Sequence, residues 1–382
     1  MNNKRKITVF YDNTLYTFFW LQPLIEAKKY LKKAGYSLAF SRLRILSCFL
    51  NRKNKHSFAK VNKNKKFDIV FLAFHHKSFF VKKDTKERAD FLKNLKKKSN
   101  KLVWLDCSDS TGTCVFDVLP FVDIYLKKQI LKNKNLYCKK LLGQRLYTNY
   151  YSLKYGLAVP ENESNSSFVE DCSLLKKIDV SWNISLWNNI VGGKMLRIKK
   201  FLSLDSVSIK QKHLSFDERT LNVFFNGSCP TNESSITYQR KRIFEISDSY
   251  CSDYFSANPI LLSRKEYKKC MKSARYALSP FGWGEICNRD FEAFLYGSCL
   301  LKPSVEHIET FPNVYIRGVT YIPFRWDFSD FKDKVDYLLS PQNKEKKELI
   351  AKKGNELFCY YRKNKGKALA EHLIGVFQKH NI

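Results

Sequence analysis

The chain has 382 residues, 44% of them hydrophobic and 15% aromatic, which is enough for two separate cores and excludes a disordered chain. No apolar run nears the roughly 18 residues that cross a bilayer, and the basic start Met1–Ile7 leads into strand-like Thr8-Val9-Phe10-Tyr11-Asp12, not a signal-peptide core, so a cytoplasmic protein is expected. The formal net charge is +32, and residues 1–159 carry 34 Lys and Arg against 10 Asp and Glu, a field that attracts nucleic acid, anionic headgroups or a phosphorylated acceptor unless these lysines are simply solvated.

Strands and helices alternate along the first half. Ile7–Tyr11 reads as a strand and Leu21–Ala34 as an amphipathic helix ended by Gly35. After a Lys/Asn-rich loop at 51–66, Phe67–Phe74 is a second strand. Thr85–Lys98 is a charged helix, and Lys101–Asp106 and Phe121–Leu126 are further strands. Residues 160–175 are polar enough for a linker or exposed loop, and Trp182, Trp187 and Gly192-Gly193 suggest a structured segment between 175 and 217. A second alternating unit begins at Thr220–Ser228. It continues through helices at Gln239–Asp248 and Arg264–Ser273, the strand Tyr276–Pro280, and a terminal helix over Lys367–Lys379. Such alternation favours parallel, doubly wound sheets, which bind ligands beyond their strand carboxyl ends.

Eleven cysteines are scattered singly, with no Cys-x-x-Cys pair, which argues against zinc and, without an export signal, for reduced thiols. No metal site is expected. Asp106-Cys107-Ser108-Asp109 lacks the Asp-x-Asp spacing of metal-dependent sugar transferases, and adjacent His75-His76 on a strand point to opposite faces.

The most informative stretch is Ser279–Gly297. Gly282-Trp283-Gly284 reads as a loop opening into a helix, where backbone approaches a ligand closely and free N–H groups meet an anion. Glu285, Arg289, Glu292 and Tyr296, at offsets 0, 4, 7 and 11, would share one face of that helix. Two readings stay open for this stripe. One is an internal ion-pair ladder, Glu285 to Arg289 to Glu292. The other is a ligand with anionic and hydroxyl groups, gripped by Arg and Glu together.

Arg289-Asp290-Phe291-Glu292-Ala293-Phe294-Leu295-Tyr296-Gly297, followed by Cys299-Leu300-Leu301 and Pro303, resembles the donor-nucleotide motif of GT-B glycosyltransferases, in the group-1-like and exostosin-like branch. The resemblance runs over about 218–382, through Tyr321-Ile322-Pro323-Phe324 and Ile350–Gly354. It implies an α/β fold of two Rossmann-like domains facing each other across a cleft. They would comprise an acceptor domain at 1–170, an interdomain segment at 171–217 and a donor domain at 218–382. The implied reaction moves a sugar from a nucleotide-diphosphate sugar, used as co-substrate without another cofactor, to a glycan or lipid-linked acceptor. Surface polysaccharide or lipopolysaccharide synthesis, at the inner face of an anionic membrane, is the implied setting.

Carried onto this chain, the motif gives Arg289 the diphosphate and Glu292 the ribose hydroxyls. Glu285 either meets the sugar or orients Arg289. Gly227 and Ser228 face the diphosphate, with Gly282 and Gly284 in the second loop. Arg240 is a second phosphate contact or a plain surface arginine. An inverting reaction needs a general base in the first domain. Asp12, Asp106 and Asp109 occupy suitable strand ends, although each also suits a helix N-cap. Two other readings remain: a relative that binds a sugar nucleotide or glycan without turnover, and a nucleic-acid-binding protein using the basic field. No helix-turn-helix, zinc finger or RNP-type strand supports the latter.

Overall fold

The computed structural model describes residues 5–12, 14–42, 66–74, 85–143, 145–159, 168–187, 214–230 and 234–382. The 51–65 part of the Lys/Asn-rich loop, His75-His76, the 160–167 part of the linker and Gly192-Gly193 lie outside these residues.

The first sheet is wholly parallel, with order β2-β1-β3-β4-β5-β7, formed by β1 (Arg5–Tyr11), β2 (Tyr36–Arg42), β3 (Phe67–Phe74), β4 (Ser99–Asp106), β5 (Ile124–Lys127) and β7 (Ile178–Val180). Side chains alternate across it. Ile7, Val9, Phe71 and Val103 bury on one face against α1 (Leu15–Lys33), while Phe10, Leu72 and Trp104 bury on the other near α2 (Thr85–Lys96). Helix α1 starts at Leu15, capped by the Thr14 side chain, and carries Pro23 in its interior. A proline is more at home in a first turn, which is why the pattern reads as starting at 21.

The second sheet is also parallel, order β9-β8-β10-β11-β13: β8 (Leu221–Asn226), β9 (Phe255–Asn258), β10 (Ala274–Leu278), β11 (Cys299–Pro303) and β13 (Tyr321–Phe324). Helices α4 (Ser235–Ser247), α5 (Arg264–Ser273), α6 (Asn288–Tyr296) and α7 (Phe331–Leu339) accompany it. Two doubly wound α/β units result, as expected. Each reverses direction beside its first strand, between β1 and β3 and between β8 and β10, where such sheets open a crevice at the carboxyl ends.

The units are tied together at several points. Strand β6 (Gln129–Leu131) pairs antiparallel with β12 (Ile308–Thr310), and the Thr310 hydroxyl donates to the Lys128 carbonyl at 2.9 Å. Helix α3 (Leu146–Tyr155), within the span expected for the first domain, buries Tyr147 and Tyr151 in the second unit's core. The last helix, α8 (Lys344–Lys379), is one continuous element of 36 residues and much longer than its legible final turns. Its Leu369, Leu373 and Phe377 return to the first unit's core. Gly366 allows that crossing, since a Cβ there would lie 2.6 Å from the Glu26 carbonyl oxygen.

Two expectations are corrected. Cys138 and Cys172 form a disulfide, so the thiols are not all reduced. Helix α6 begins at Asn288, so Glu285 lies in the preceding loop and shares no helix face with Arg289.

Candidate functional site

The carboxyl edges of the two sheets meet at the loop 279–287. On the second unit, Asn226 ends β8, and its amide donates to the carbonyls of Asn258 and Ile260 at 3.0 and 2.7 Å, which fixes the turn into Gly227-Ser228. Arg289, in the first turn of α6, donates from Nη2 to the Asn226 carbonyl at 2.7 Å, and its guanidinium lies 4.7 Å from the Phe225 ring centre. Arg240 on α4 reaches the Ser228 carbonyl. Burial first, and then the nearby Arg289 charge, lower the Arg240 pKa. Both Nε atoms are buried without a hydrogen-bond partner, and neither guanidinium has a carboxylate within ion-pair distance among the described residues. Two neighbouring guanidiniums thus converge on the Gly227-Ser228 turn, and a Cβ on Gly227 would lie 3.3 Å from Arg289 Nη2.

Glu292 follows one turn later. Its Oε2 accepts from the Tyr267 hydroxyl at 2.9 Å, and burial raises its pKa. The ion-pair ladder is absent: no bridge joins Arg289 to Glu285 or Glu292 among the described residues. At the start of α6 the protein's own side chain takes up part of the helix end. Asp290, fully buried, accepts from the Cys287 N–H at 3.2 Å and pairs with buried Lys302 at 3.2 Å. The protein's own carboxylate answers the helix dipole there.

Glu285 crosses to the first unit and is fully buried. Its Oε2 accepts from the Thr111 N–H at 3.0 Å and the Gln129 amide at 3.1 Å, and its Oε1 accepts from the Thr111 hydroxyl at 2.7 Å. Burial pushes its pKa up, but His307 and Thr111 outweigh this and hold it near about 2. His307 Nε2 stands 3.9 Å away, beyond hydrogen-bond reach, so it helps through charge when protonated. The neighbouring Gly284 also serves the junction: a Cβ there would lie 2.7 Å from the Ser110 backbone nitrogen and 3.5 Å from Asp109 Cβ. The glycine permits close approach of the other unit, where a ligand had been expected. Gly282 accepts from the Tyr147 hydroxyl through its carbonyl at 2.6 Å.

The three candidate bases are placed differently. Asp106 is sealed, with Lys127 at 3.1 Å, the Tyr125 hydroxyl on the same oxygen and the Ser108 N–H at 2.7 Å on the other. Burial opposes its charge, but Lys127 and these hydrogen bonds lower its pKa, so it braces the interior. Asp12 is also buried, and accepts from Thr14 N–H and hydroxyl at 3.0 and 2.8 Å; it is not itself the N-cap of α1, a place Thr14 takes, but it holds that cap residue. Asp109 alone of the three is half-exposed, and Lys128, itself buried and bonded to the Tyr16 hydroxyl, pairs with it at 2.8 Å. Lys128, Tyr16, Thr111 and Gln129 escaped the sequence reading, since none sits in a motif. The doublet Lys127-Lys128 after a buried strand was the one available signal.

No protein-family model matches the chain, and no curated protein matches it. Among solved structures, an alpha-glucosyltransferase in complex with UDP is similar at TM-score 0.44 and 8% identity, over 98% of this chain and 99% of that one. An alpha-glucosyltransferase in complex with UDP-glucose and DNA containing an abasic site is similar at 0.44 and 10%, over 96% and 98%. A UDP-N-acetylglucosamine 2-epimerase is similar at 0.39 and 14%, over 98% and 97%. Similarities this low leave the reading of the site to the chain's own residues.

Proposed function

We propose that this protein is a metal-independent glycosyltransferase that takes its donor as a nucleoside-diphosphate sugar. One observation carries the reading: Arg240 and Arg289 converge on the Gly227-Ser228 turn at the switch point of the second sheet, with buried Nε atoms and no ion-pair partner among the described residues. Holding like charges together in a half-buried site is unfavourable unless an anion joins them. A diphosphate supplies that anion and suits the bidentate guanidinium fork. Glu292, with Oε2 on Tyr267, accepts hydrogen bonds from the ribose hydroxyls. Glu285 joins the units and leaves the diphosphate to the arginines. Of the first unit's carboxylates, Asp109 is the one at the junction that meets an acceptor hydroxyl.

Titration calorimetry with UDP, GDP, CDP and ADP, followed by turnover with the matching sugar nucleotides, tests this reading. One nucleoside diphosphate should bind at micromolar strength, and binding of none would remove the proposal.

The basic field bears on the acceptor. Arg5, Lys6, Lys32, Lys33, Lys66 and Lys97 are exposed where strands of the first sheet begin and its helices end. That edge lies opposite the carboxyl ends that form the site. An anionic surface held there leaves the cleft facing away from it, so we favour a long glycan over a short lipid-linked acceptor. Lys32→Glu with Lys33→Glu should reduce sedimentation with phosphatidylglycerol vesicles by about tenfold or more at low salt, at roughly 1 kcal/mol per lysine lost. Equal sedimentation of variant and wild type would remove the surface contact. No helix among the described residues is long and apolar enough to cross a membrane.

A further inference from the structure

Trp283 is the one tryptophan among the described residues that is mostly exposed, at 60%. It is held in that position by the surrounding loop. On one side the Gly282 carbonyl is bonded to Tyr147, and on the other Gly284 packs on Ser110 and Glu285 is buried in the first unit. Arg145, itself buried, places its guanidinium 5.4 Å from the indole centre and so covers one face of the ring. The remaining face is presented to solvent at the junction of the units. A rigidly held, half-covered indole has an apolar face to offer and little conformational freedom to lose on binding.

Across the junction stands Asp109, whose Cβ lies 3.5 Å from where a Gly284 Cβ would be, one residue along from the indole. Its carboxylate is 52% exposed and fixed by Lys128, and carboxylate oxygens accept more than one hydrogen bond each. A flat apolar face beside an oriented acceptor of hydroxyl protons matches the two sides of a sugar ring, the C–H face and the hydroxyl edge. Lys128, which pairs with Asp109 at 2.8 Å, is 3% exposed, and an acidic sugar would bring a second negative charge against the Asp109 carboxylate.

We propose that Trp283 and Asp109 form an acceptor subsite for a neutral pyranose ring, stacked on the indole with hydroxyls on the carboxylate. The proposal rests on the nucleotide-sugar reading for its role in transfer, but the subsite binds its ring without the nucleotide.

Saturation-transfer NMR on the full chain tests it, using methyl α-D-glucopyranoside, methyl α-D-galactopyranoside and methyl β-D-glucuronide, each with and without UDP, GDP, CDP or ADP. At least one neutral glycoside should receive saturation at its ring C–H protons, and the glucuronide should receive none. Trp283→Ala should cut the neutral signal at least about fivefold, Trp283→Phe should keep most of it, and Asp109→Asn should weaken it. Protons of the nucleoside diphosphate that binds, among UDP, GDP, CDP and ADP, should be saturated equally in wild type and all three variants. A neutral-glycoside signal unchanged in Trp283→Ala, a glucuronide bound as well as the neutral sugars, or no glycoside signal on wild type would overturn the subsite. Absence of saturation on UDP, GDP, CDP and ADP alike, beside the expected glycoside pattern, would instead overturn the donor reading and leave the subsite standing.

Discussion

Arg289→Ala should weaken binding of the cognate nucleoside diphosphate by about a hundredfold, roughly 3 kcal/mol, without lowering the thermal stability of the ligand-free protein. The two halves of that expectation have one cause. In the free protein Arg289 donates to the Asn226 carbonyl and packs on Phe225, while its charge lies against that of Arg240 and attracts that of Glu292. Removing it loses a contact worth about 1 kcal/mol and relieves a repulsion of similar size. With ligand bound, the same guanidinium becomes a fork on phosphate, and its loss is felt in full. Arg289→Lys keeps the charge and loses the fork, so it should fall between, at about a tenfold loss. Thermal melts with and without UDP make the check. A variant that melts well below wild type yet gains the same stabilisation from UDP would show that Arg289 is a structural strut and would remove it from the site.

How much of this was legible beforehand depends on the range of each interaction. Strand Phe67–Phe74 declares itself through an apolar run after a polar loop, and α5 reads from the sequence at the bounds it has, Arg264–Ser273. Strand β2 at the sheet edge, and β6, β7 and β12 at three residues each, are too short or too polar to stand out. Helix α3 has a weak apolar stripe because its tyrosines face the other unit.

At the site, the sequence offered the right residue types, and local spacing misplaced one of them. Glu285, Arg289 and Glu292 fit a helix stripe only if the helix starts at 285. In fact Cys287 caps it, and the chain before that point is pulled toward the other unit. Glu285 finds its partners at Thr111 and Gln129, separated by 174 and 156 residues, and no periodicity reports a contact at that distance. Asp106 misled for a related reason: a strand-end aspartate reads as available until Lys127 and Tyr125 from the next strand are seen to close over it.

Glu285→Ala should cost about 3–5 kcal/mol of stability, the largest effect of any single change at the junction, because it strands two Thr111 donors and the Gln129 amide in a dry interior. Glu285→Gln should cost much less. The Gln carbonyl can take the place of Oε2 before the Thr111 N–H and the Gln129 amide, while its NH2 group donates to the Thr111 hydroxyl, which rotates to accept. Wild type and Glu285→Gln also separate by pH. Burial works against the Glu285 charge, yet its pKa falls from 4.5 to about 2, so the folded state favours the ionised form. A depressed carboxyl contributes its full stability above the unfolded value and loses it as the folded group takes up its proton. The gap in urea midpoint between wild type and Glu285→Gln should therefore close progressively as the pH falls from about 4.5 toward about 2. UDP affinity of Glu285→Gln should stay near that of wild type, since the residue pins the units and does not grip the donor. A midpoint gap independent of pH would show that the carboxylate's charge contributes nothing to the junction, and a large loss of UDP affinity would return Glu285 to the donor pocket.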